Sequence, residues 1–311
     1  MEVIRGSENI PAGLRGAVVT IGNFDGVHLG HQYIFHRLIA EANKERRPAV
    51  VISFDPHPKM ILHPERRPFY LITSLEEKIR HLSTLGIEAL ILIPFSLDYA
   101  RTTAEEFVFG FLWERLRIRK ILIGQDYTFG WGKEGNETFL TASGNRLGFE
   151  VEVMSAFKVG GTTISSTKIR NALLDGEVRY AASLLGRPYN LAGEVISGSH
   201  RGVSLGFPTA NIRPDKVLVP PNGVYAVHVL LDGNRHQGAL NIGFNPTFAD
   251  RKLSIEVYIF DFDENIYGKH LDVLFIERLR EEIRFASPGE LIVQIDRDIA
   301  RVREILQTES T

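Results

Sequence analysis

The stretch GNFDGVHLGH, residues 22–31, decides the fold. It follows an apolar run at residues 17–21 and precedes apolar residues at helical spacing, which predicts a turn between a strand and a helix. Such a turn binds phosphate in α/β folds, because glycines permit close backbone approach and the helix start favours an anion. His28 and His31 lie three residues apart, so one helical turn can present both imidazoles to one anion.

The histidines also have an ordinary interpretation, since a histidine beside a glycine-rich turn is often a surface or capping residue. The stretch contains neither the G-x-G-x-x-G dinucleotide fingerprint nor the G-x-x-x-x-G-K-S/T P-loop. The set His28, Gly30 and His31 resembles instead the H-x-G-H signature of nucleotidyltransferases. In that superfamily the histidines stabilise charge on the phosphates of ATP while another phosphate attacks.

Length and composition restrict the class of protein. A chain of 311 residues predicts about two domains, and a net charge of −2 argues against nucleic acid as the main partner. The absence of cysteine excludes disulfides, thiolate metal sites and cysteine catalysis. The first residues lack the apolar stretch of a signal peptide, and no apolar run approaches the roughly 20 residues that span a bilayer. We therefore expect a soluble cytoplasmic protein without a membrane partner.

The first half alternates strands and helices. Apolar runs at 49–54, 89–93 and 121–123 are typical of buried strands, and helices are predicted at 75–85 and 103–116. Ser74 and Glu77 form the pattern of a capping box, with Gly86 as the C-cap of that helix. The alternation predicts a Rossmann-like, doubly wound parallel sheet that binds its ligand beyond the carboxyl ends of the strands.

The pattern changes near residues 185–189. Strands are then predicted without helices between them, at 226–231, 237–242, 253–260 and 271–276, and the turns at 232–234 and 267–269 are typical of antiparallel hairpins. A last helix at 288–306 carries an apolar stripe. The sequence predicts an α/β domain at 1–185 and a small antiparallel β-barrel or sandwich with a C-terminal helix at 186–311.

Three further segments of the first half carry candidate ligand-binding residues. Phe54 and His57 belong to a loop stiffened by Pro56 and Pro58, which suits a flat ring and a phosphate or serves only as a rigid connector. Asp126 follows a strand beside aromatic residues. At residues 164–170 three hydroxyls open a helix in which Lys168 and Arg170 supply donors for phosphate; a serine acting only as N-cap is the simpler interpretation.

The second half carries an independent set. A glycine-bearing loop at 197–202 precedes the segment GFPTAN, in which Thr209 and Asn211 offer hard oxygen ligands suited to Mg²⁺, although an isolated segment of this kind is more often a plain turn. Glu256 falls within a strand pattern and by itself could be a surface carboxylate.

These motifs together, in this order, resemble the bifunctional riboflavin kinase and FMN adenylyltransferase family of bacterial FAD synthetases. The resemblance covers nearly the whole chain and implies two ATP-dependent steps, riboflavin to FMN with release of ADP and FMN to FAD with release of pyrophosphate. It implies catalytic roles for His28, His31 and Glu256, the last as the base for the riboflavin 5′-hydroxyl. It also implies Mg²⁺ at Thr209 and Asn211, with riboflavin, FMN, FAD and ATP as small-molecule partners.

The resemblance also implies two sets of binding residues. The nucleotide set is Gly22, Asn23, Phe24, Asp25, Gly30, Ser165, Ser166, Thr167, Arg170, Gly206, Pro208, Thr209 and Asn211. The flavin set is Phe54, Pro56, His57, Pro58, Asp126, Arg280 and Phe285. Two positions depart from the family pattern: Lys168 replaces an arginine of many members, and Val203 replaces a basic residue.

Two other functions are compatible with parts of the pattern. One is a nucleotidyltransferase for another phosphorylated acceptor, with a barrel that binds flavin but does not catalyse. The other is a non-catalytic flavin or nucleotide carrier. The sequence leaves the oligomeric state open.

Overall fold

The computed structural model describes residues 1–66, 68–198, 206–246 and 251–308. The chain divides into two compact units. The first unit comprises Met1–Phe69 and Thr73–Ser166, and the second comprises Tyr70–Ile72 and Thr167–Thr311. The domain boundary at residue 185 stays a prediction.

A six-stranded parallel sheet forms the first unit. Its strands lie in the order β1-β4-β3-β2-β5-β6, and every neighbouring pair is parallel. They are β1 (Glu2–Arg5), β2 (Val18–Ile21), β3 (Ala49–Asp55), β4 (Ala89–Pro94), β5 (Lys120–Gly124) and β6 (Glu150–Met154). A small antiparallel pair, β7 (Lys158–Val159) and β8 (Thr162–Thr163), follows. The predicted Rossmann-like sheet is confirmed.

Helices cover both faces of this sheet, because the strand order extends from β2 in both directions and right-handed crossovers then lie on opposite faces. They are α1 (Leu29–Glu45), α2 (Pro58–Leu62), α3 (Leu75–Thr84), a π-helix (Glu106–Arg115) and α4 (Glu137–Leu147). The capping box of Ser74 and Glu77 is present with both of its hydrogen bonds. The C-cap of α3 is Leu85 rather than Gly86; Gly86 follows it with φ +88°, the left-handed conformation that glycine adopts without strain.

The second unit is built on a closed barrel of six antiparallel strands in the order β10-β13-β12-β11-β14-β9. The strands are β9 (Tyr189–Ile196), β10 (Ala210–Pro214), β11 (Gly223–Leu231), β12 (Asn234–Pro246), β13 (Arg251–Ile259) and β14 (His270–Arg280). Two short helices precede the barrel, α5 (Ser166–Leu174) and α6 (Val178–Leu185). The last helix, α7 (Pro288–Thr308), packs Val302, Ile305 and Leu306 against the barrel.

One predicted hairpin is present and the other is wrong. Asp232 and Gly233 both have positive φ and join β11 to β12, as a tight hairpin turn requires. The turn at 267–269 does not join paired strands, since β13 pairs with β10 and β12 whereas β14 pairs with β11 and β9. Gly268 N donates instead to Val195 O at 2.9 Å, on β9. Barrel closure therefore outweighs the local turn pattern.

His228 gives the barrel a dependence on pH. The residue is buried on β11, and burial, followed by the charge of Arg235, lowers its pKa. The imidazole of the unfolded chain therefore binds a proton first as the pH falls, and its contribution to stability is present above about pH 6.5 and is lost below it.

We therefore expect His228→Leu to reduce the fall in Tm between pH 7.5 and pH 5, measured by calorimetry. The exposed His36, changed to Leu, serves as the control and should leave that fall unchanged. A His228→Leu protein with the full acid sensitivity of the unmodified chain would contradict the assignment.

Candidate functional site

The turn after β2 adopts an unusual backbone conformation. Phe24, Gly26 and Val27 have φ values of 48°, 89° and 42°. A non-glycine residue in this region costs about 1–3 kcal/mol and persists only where its surroundings hold it. Gly22 and Gly30 are needed for space, since an added Cβ would lie 3.0 Å from the Phe24 ring and 3.2 Å from the His28 ring, respectively.

Hydrogen bonds from separate segments hold this turn. Gly26 N donates to Thr73 Oγ1 at 3.0 Å, and Thr73 N donates in return to Asp25 Oδ1 at 3.2 Å. Ser166 Oγ donates to Asp25 O at 2.9 Å. Asp25 is thus 2 % exposed and supports the turn. Thr73 is a residue that sequence reasoning missed, because it is distant in the chain and belongs to no motif.

The two histidines lie together at the start of α1. Their rings stack with centroids 3.5 Å apart, and the Phe24 ring meets His31 edge-on at 5.2 Å. His28 is the N-cap, and its Nδ1 accepts from His31 N at 3.2 Å. A neutral His28 with Nδ1 as acceptor carries its proton on Nε2, so Nε2 acts as a donor. The capping interpretation of His28 is therefore correct, and the two imidazoles lie side by side; their contact with one anion stays a prediction.

A cavity of about 560 Å³ opens at the carboxyl edge of the sheet, beside this turn. The residues that line it lie at or just after the carboxyl ends of four strands. They are Gly22 and Asn23 after β2, Phe54 at the end of β3, Phe95 after β4 and the segment 126–133 after β5. Aromatic side chains dominate it, including Tyr99, Phe107, Tyr127, Phe129 and Trp131. Burial raises the pKa of Tyr99 and of Tyr127, so both phenols stay neutral. The cavity suits a flat, largely apolar ring.

Some of the flavin-binding residues predicted in this unit line the cavity and others do not. Phe54, Pro58 and Asp126 line the cavity, and Asp126 is exposed at its surface. Within the described chain, Pro56 and His57 are not among its lining residues. His57 is buried, accepts from Lys59 N at 3.1 Å as the N-cap of α2, and packs against Phe69. Flavin contacts of Pro56 and His57 stay predictions, whereas Tyr99 and Trp131 are wall residues that the sequence analysis missed.

The predicted nucleotide residues at 165–170 fall in both units. Ser165 and Ser166 are half-buried at the end of the first unit, and Thr167 and Lys168 are exposed in the second. Arg170 Nε donates to Tyr70 O at 2.6 Å, also within the second unit. A nucleotide contact of these residues stays a prediction.

The second unit brings Thr209 and Glu256 together. Thr209 Oγ1 donates to Glu256 Oε2 at 3.3 Å, and Ser254 Oγ donates to Glu256 Oε1 at 2.8 Å. Asn211 stands opposite Glu256 in the β10–β13 ladder. Gly198 allows the amide of Asn211 to pass, since an added Cβ would lie 2.0 Å from Asn211 Nδ2. Glu256 is half-buried between these groups and is not an ordinary surface carboxylate.

The surroundings of this cluster are partly described. Pro208 and Thr209 line a cavity of about 240 Å³ with the segment 262–267, and Gly206 is exposed with φ +88°. Arg201 and Val203 lie outside the described residues. Among described His, Asp and Glu side chains, no group of three or more forms a metal cluster.

Arg280 is held by α7. Its guanidinium makes hydrogen bonds to both carboxylate oxygens of Asp298, the shortest at 2.6 Å. Asp298 is buried on the helix face that packs on the barrel, so this pair fixes α7 to the end of β14. Phe285 is half-buried in the segment between them. The predicted flavin contacts of Arg280 and Phe285 stay predictions.

Comparison with known sequences decides the family. Residues 10–168 match the family described as FAD synthetase, and residues 185–306 match the family described as riboflavin kinase. The bifunctional riboflavin kinase/FMN adenylyltransferase of Escherichia coli (strain K12) is 39% identical over 306 residues, which cover 98% of this chain and 97% of the relative. The chain belongs to this bifunctional family.

Other similar proteins agree in length. The bifunctional riboflavin kinase/FMN adenylyltransferase of Listeria monocytogenes is 38% identical over 90% of both chains. A crystal structure from Streptococcus pneumoniae, described as a macrolide-efflux protein, has a TM-score of 0.89 and 35% identity, and covers 97% of this chain and 99% of that one. Within the described residues, no helix is both long and apolar enough to cross a membrane.

Membership of the family assigns two activities to the chain. It phosphorylates riboflavin to FMN and adenylylates FMN to FAD, with ATP as the co-substrate of both steps. The prediction of function and the recognition of the family are therefore confirmed. Of the two alternatives, a non-catalytic barrel and a plain carrier, neither is supported by these relatives.

The close approach of Gly30 to His28 yields a test of the bifunctional enzyme. Gly30→Ala should displace the His28 ring by a few tenths of an ångström. If His28 has its predicted catalytic role, FAD formation from FMN should fall about 10-fold, because small misplacements of catalytic groups reduce rates steeply. FMN formation from riboflavin should not change. Gly110→Ala is the matched control, since a Cβ there meets nothing within 4 Å. Equal FAD synthesis by both variants would contradict the prediction.

Proposed function

We propose that the first unit transfers the adenylyl group through His28 and His31 and that the second unit transfers the γ-phosphoryl group through Glu256. The observation that supports the first assignment is the continuity of the aromatic cavity with the histidine-bearing turn through Gly22 and Asn23. Flavin ring and reacting phosphate then lie at one sheet edge, as the FMN substrate requires.

Adenylyl transfer needs no covalent intermediate with the protein, since the FMN phosphate is already an anionic nucleophile. It attacks the α-phosphorus of ATP, and pyrophosphate leaves. The stacked imidazoles stabilise the charge that develops on the transferring and leaving phosphates, with His28 Nε2 as a donor. Ser165, Ser166, Thr167 and Arg170 are proposed to hold the nucleotide, and the first amides of α1 add to the anion site.

In the second unit, Glu256 accepts the proton of the riboflavin 5′-hydroxyl as that oxygen attacks the γ-phosphorus of ATP. The two hydroxyl donors, Ser254 and Thr209, orient its carboxylate. Gly206 is exposed, and its backbone N–H is proposed to donate to phosphate, whereas Pro208 has no N–H and restricts the adjoining backbone. Arg280 and Phe285 are proposed to flank the flavin, Arg280 in an orientation fixed by Asp298.

The donor set near Glu256 fits Mg²⁺. A threonine hydroxyl that donates to a carboxylate keeps its oxygen lone pairs, and Asn211 adds an amide oxygen on the adjoining strand. Such a sparse set of hard oxygens suits Mg²⁺, which completes its coordination with water and nucleotide phosphates. Bound there by Thr209 and Asn211, the ion would neutralise phosphate charge. The remaining expectations, a cytoplasmic location without nucleic acid or membrane partners, form part of this proposal.

Alanine substitution of the proposed catalytic residues should reduce one activity at a time, either FAD formation or FMN formation. We expect His28→Ala and His31→Ala each to reduce FAD formation from FMN by about 100-fold or more, because each removes a donor to developing charge. Both variants should still convert riboflavin to FMN. Glu256→Ala should behave in the opposite way, losing about 100-fold or more in FMN formation while still producing FAD from added FMN.

The measurement is chromatographic separation of flavins after incubation with ATP and Mg²⁺. Normal FAD synthesis by both histidine variants would remove them from the mechanism. Normal FMN synthesis by Glu256→Ala would do the same for the carboxylate.

The cavity supports a second prediction. Phe54→Ala should raise the KM for FMN in FAD synthesis about 10-fold through lost ring contact, with the riboflavin kinase rate unchanged. Phe109→Ala, an exposed phenylalanine of the π-helix outside the cavity, is the control. Binding of FMN can be followed by quenching of Trp131, with Trp113→Phe removing the other indole of the chain. An unchanged KM in Phe54→Ala would place the flavin elsewhere.

A further inference from the structure

A buried lysine lies behind the histidine-bearing turn. Lys78, on α3, is only 7% exposed, and its Nζ donates to the carbonyl oxygen of Asn23 at 2.9 Å. The same Nζ lies 3.5 Å from Ser53 Oγ, and Ser53 Oγ donates to the Asn23 carbonyl at 3.3 Å. One backbone oxygen of the turn thus receives a charged donor and a neutral donor from two different elements.

That carbonyl occupies a critical position in the turn. Asn23 lines the aromatic cavity, and it directly precedes Phe24, the first of the three turn residues with positive φ. Gly22 N donates to Ile52 O at 3.1 Å and thereby fastens the start of the turn to β3. Thr73 holds Asp25 and Gly26, as described above. Thr73 and Lys78 belong to one short stretch at the start of α3, which therefore clamps the turn at two points.

The charge of Lys78 is not required for packing. Burial lowers the pKa of Lys78, and the carboxylates of Asp25 and Asp55 act in the opposite direction. A methionine would fill similar space without the cost of desolvating an ammonium group, so a buried cation here indicates that its charge and its donors serve the turn. A charge-assisted bond to Asn23 O is stronger than one from a neutral donor, and it is shielded from solvent.

We propose that Lys78 is a positioning residue for adenylyl transfer: its ammonium fixes the Asn23 carbonyl, and with it the turn that carries His28 and His31. This role rests on the proposed function of the two histidines. Lys78 acts through the backbone of the turn and does not itself touch the reacting phosphates.

The decisive variant is Lys78→Met, which keeps the length of the side chain and removes its donors and charge. We expect the kcat of FAD formation from FMN to fall about 10-fold or more, with the KM for FMN within about twofold of normal, because the cavity walls other than Asn23 are untouched. Lys78→Arg keeps the cation and should recover part of the loss. The riboflavin kinase activity of the same molecules, which belongs to the second unit, should not change, and calorimetry of the unfolding transition measures the folded amount of the first unit.

Lys120 provides the matched control. It is a second buried lysine of the same unit, held by Glu41 at 2.7 Å and Glu152 at 2.6 Å, and it begins β5 at the amino edge of the sheet, remote from the turn. Lys120→Met should lower the Tm but leave the kcat per folded molecule unchanged. Ser53→Ala, which removes the neutral donor to Asn23 O and the hydroxyl acceptor 3.5 Å from Lys78 Nζ, should lower that kcat by about threefold.

The outcomes separate the role of Lys78 from that of the histidines. A kcat within twofold of normal in Lys78→Met, or an equal loss in Lys120→Met, would overturn the positioning role. If Lys78→Met does not fold, an unchanged kcat in Ser53→Ala would overturn it. If the histidine variants made FAD normally, the proposed function would fail first, whatever the result for Lys78.

Discussion

All six strands of the first sheet run in the same direction, so each loop that follows a strand emerges at the same edge. This constraint brings together Gly22, Phe54, Phe95 and Asp126, which are far apart in the chain. Neighbouring β2 and β5 lie where the strand order reverses, the position at which open α/β sheets bind ligands. The aromatic cavity and the histidine-bearing turn are both consequences of this arrangement.

The turn itself illustrates how a local sequence depends on distant support. Its glycines make room for the rings of Phe24 and His28, yet two of its three left-handed residues are not glycine. Such a backbone persists because its surroundings hold it. Thr73 and Ser166 form hydrogen bonds with residues 25 and 26, and Lys78 donates to the carbonyl oxygen of Asn23. The hydrogen bond from His31 N to His28 Nδ1 then begins α1 and fixes which nitrogen of His28 carries the proton.

The sequence was sufficient for those features that are encoded locally. Continuous apolar runs predicted β3, β4 and β5, and the pair Ser74 and Glu77 predicted the start of α3. The strands β1, β9 and β10 were not predicted. β1 is a four-residue edge strand paired with β4, whereas β9 and β10 each pair with two neighbours in the closed barrel, a condition that local sequence does not reveal. The hairpin predicted at 267–269 was wrong, because the pairing of strands in a closed barrel depends on the whole barrel and not on the residues of one turn.

The site was predictable to a similar extent. Resemblance to the family identified Thr209 and Glu256, and it identified the two histidines. The structure brings the members of each pair into contact. It did not identify Thr73, Lys78 or Trp131, whose types are ordinary and whose positions follow from tertiary packing. A sequence motif therefore indicates the candidate reactive residues more readily than the residues that position them.

The second unit is not a contiguous piece of chain. Tyr70 O accepts from Arg170 Nε at 2.6 Å, and Ile72 O accepts from Lys216 Nζ at 2.9 Å, so a three-residue segment from the first half completes a unit formed mainly by the second. Genetic recombination that exchanged the barrel between relatives would separate Lys216 from Ile72, which is encoded 144 codons upstream. Fusion of the two activities in one gene is thus more than a linkage of independent modules, because part of the hydrogen bonding of the second unit is encoded in the first half of the gene.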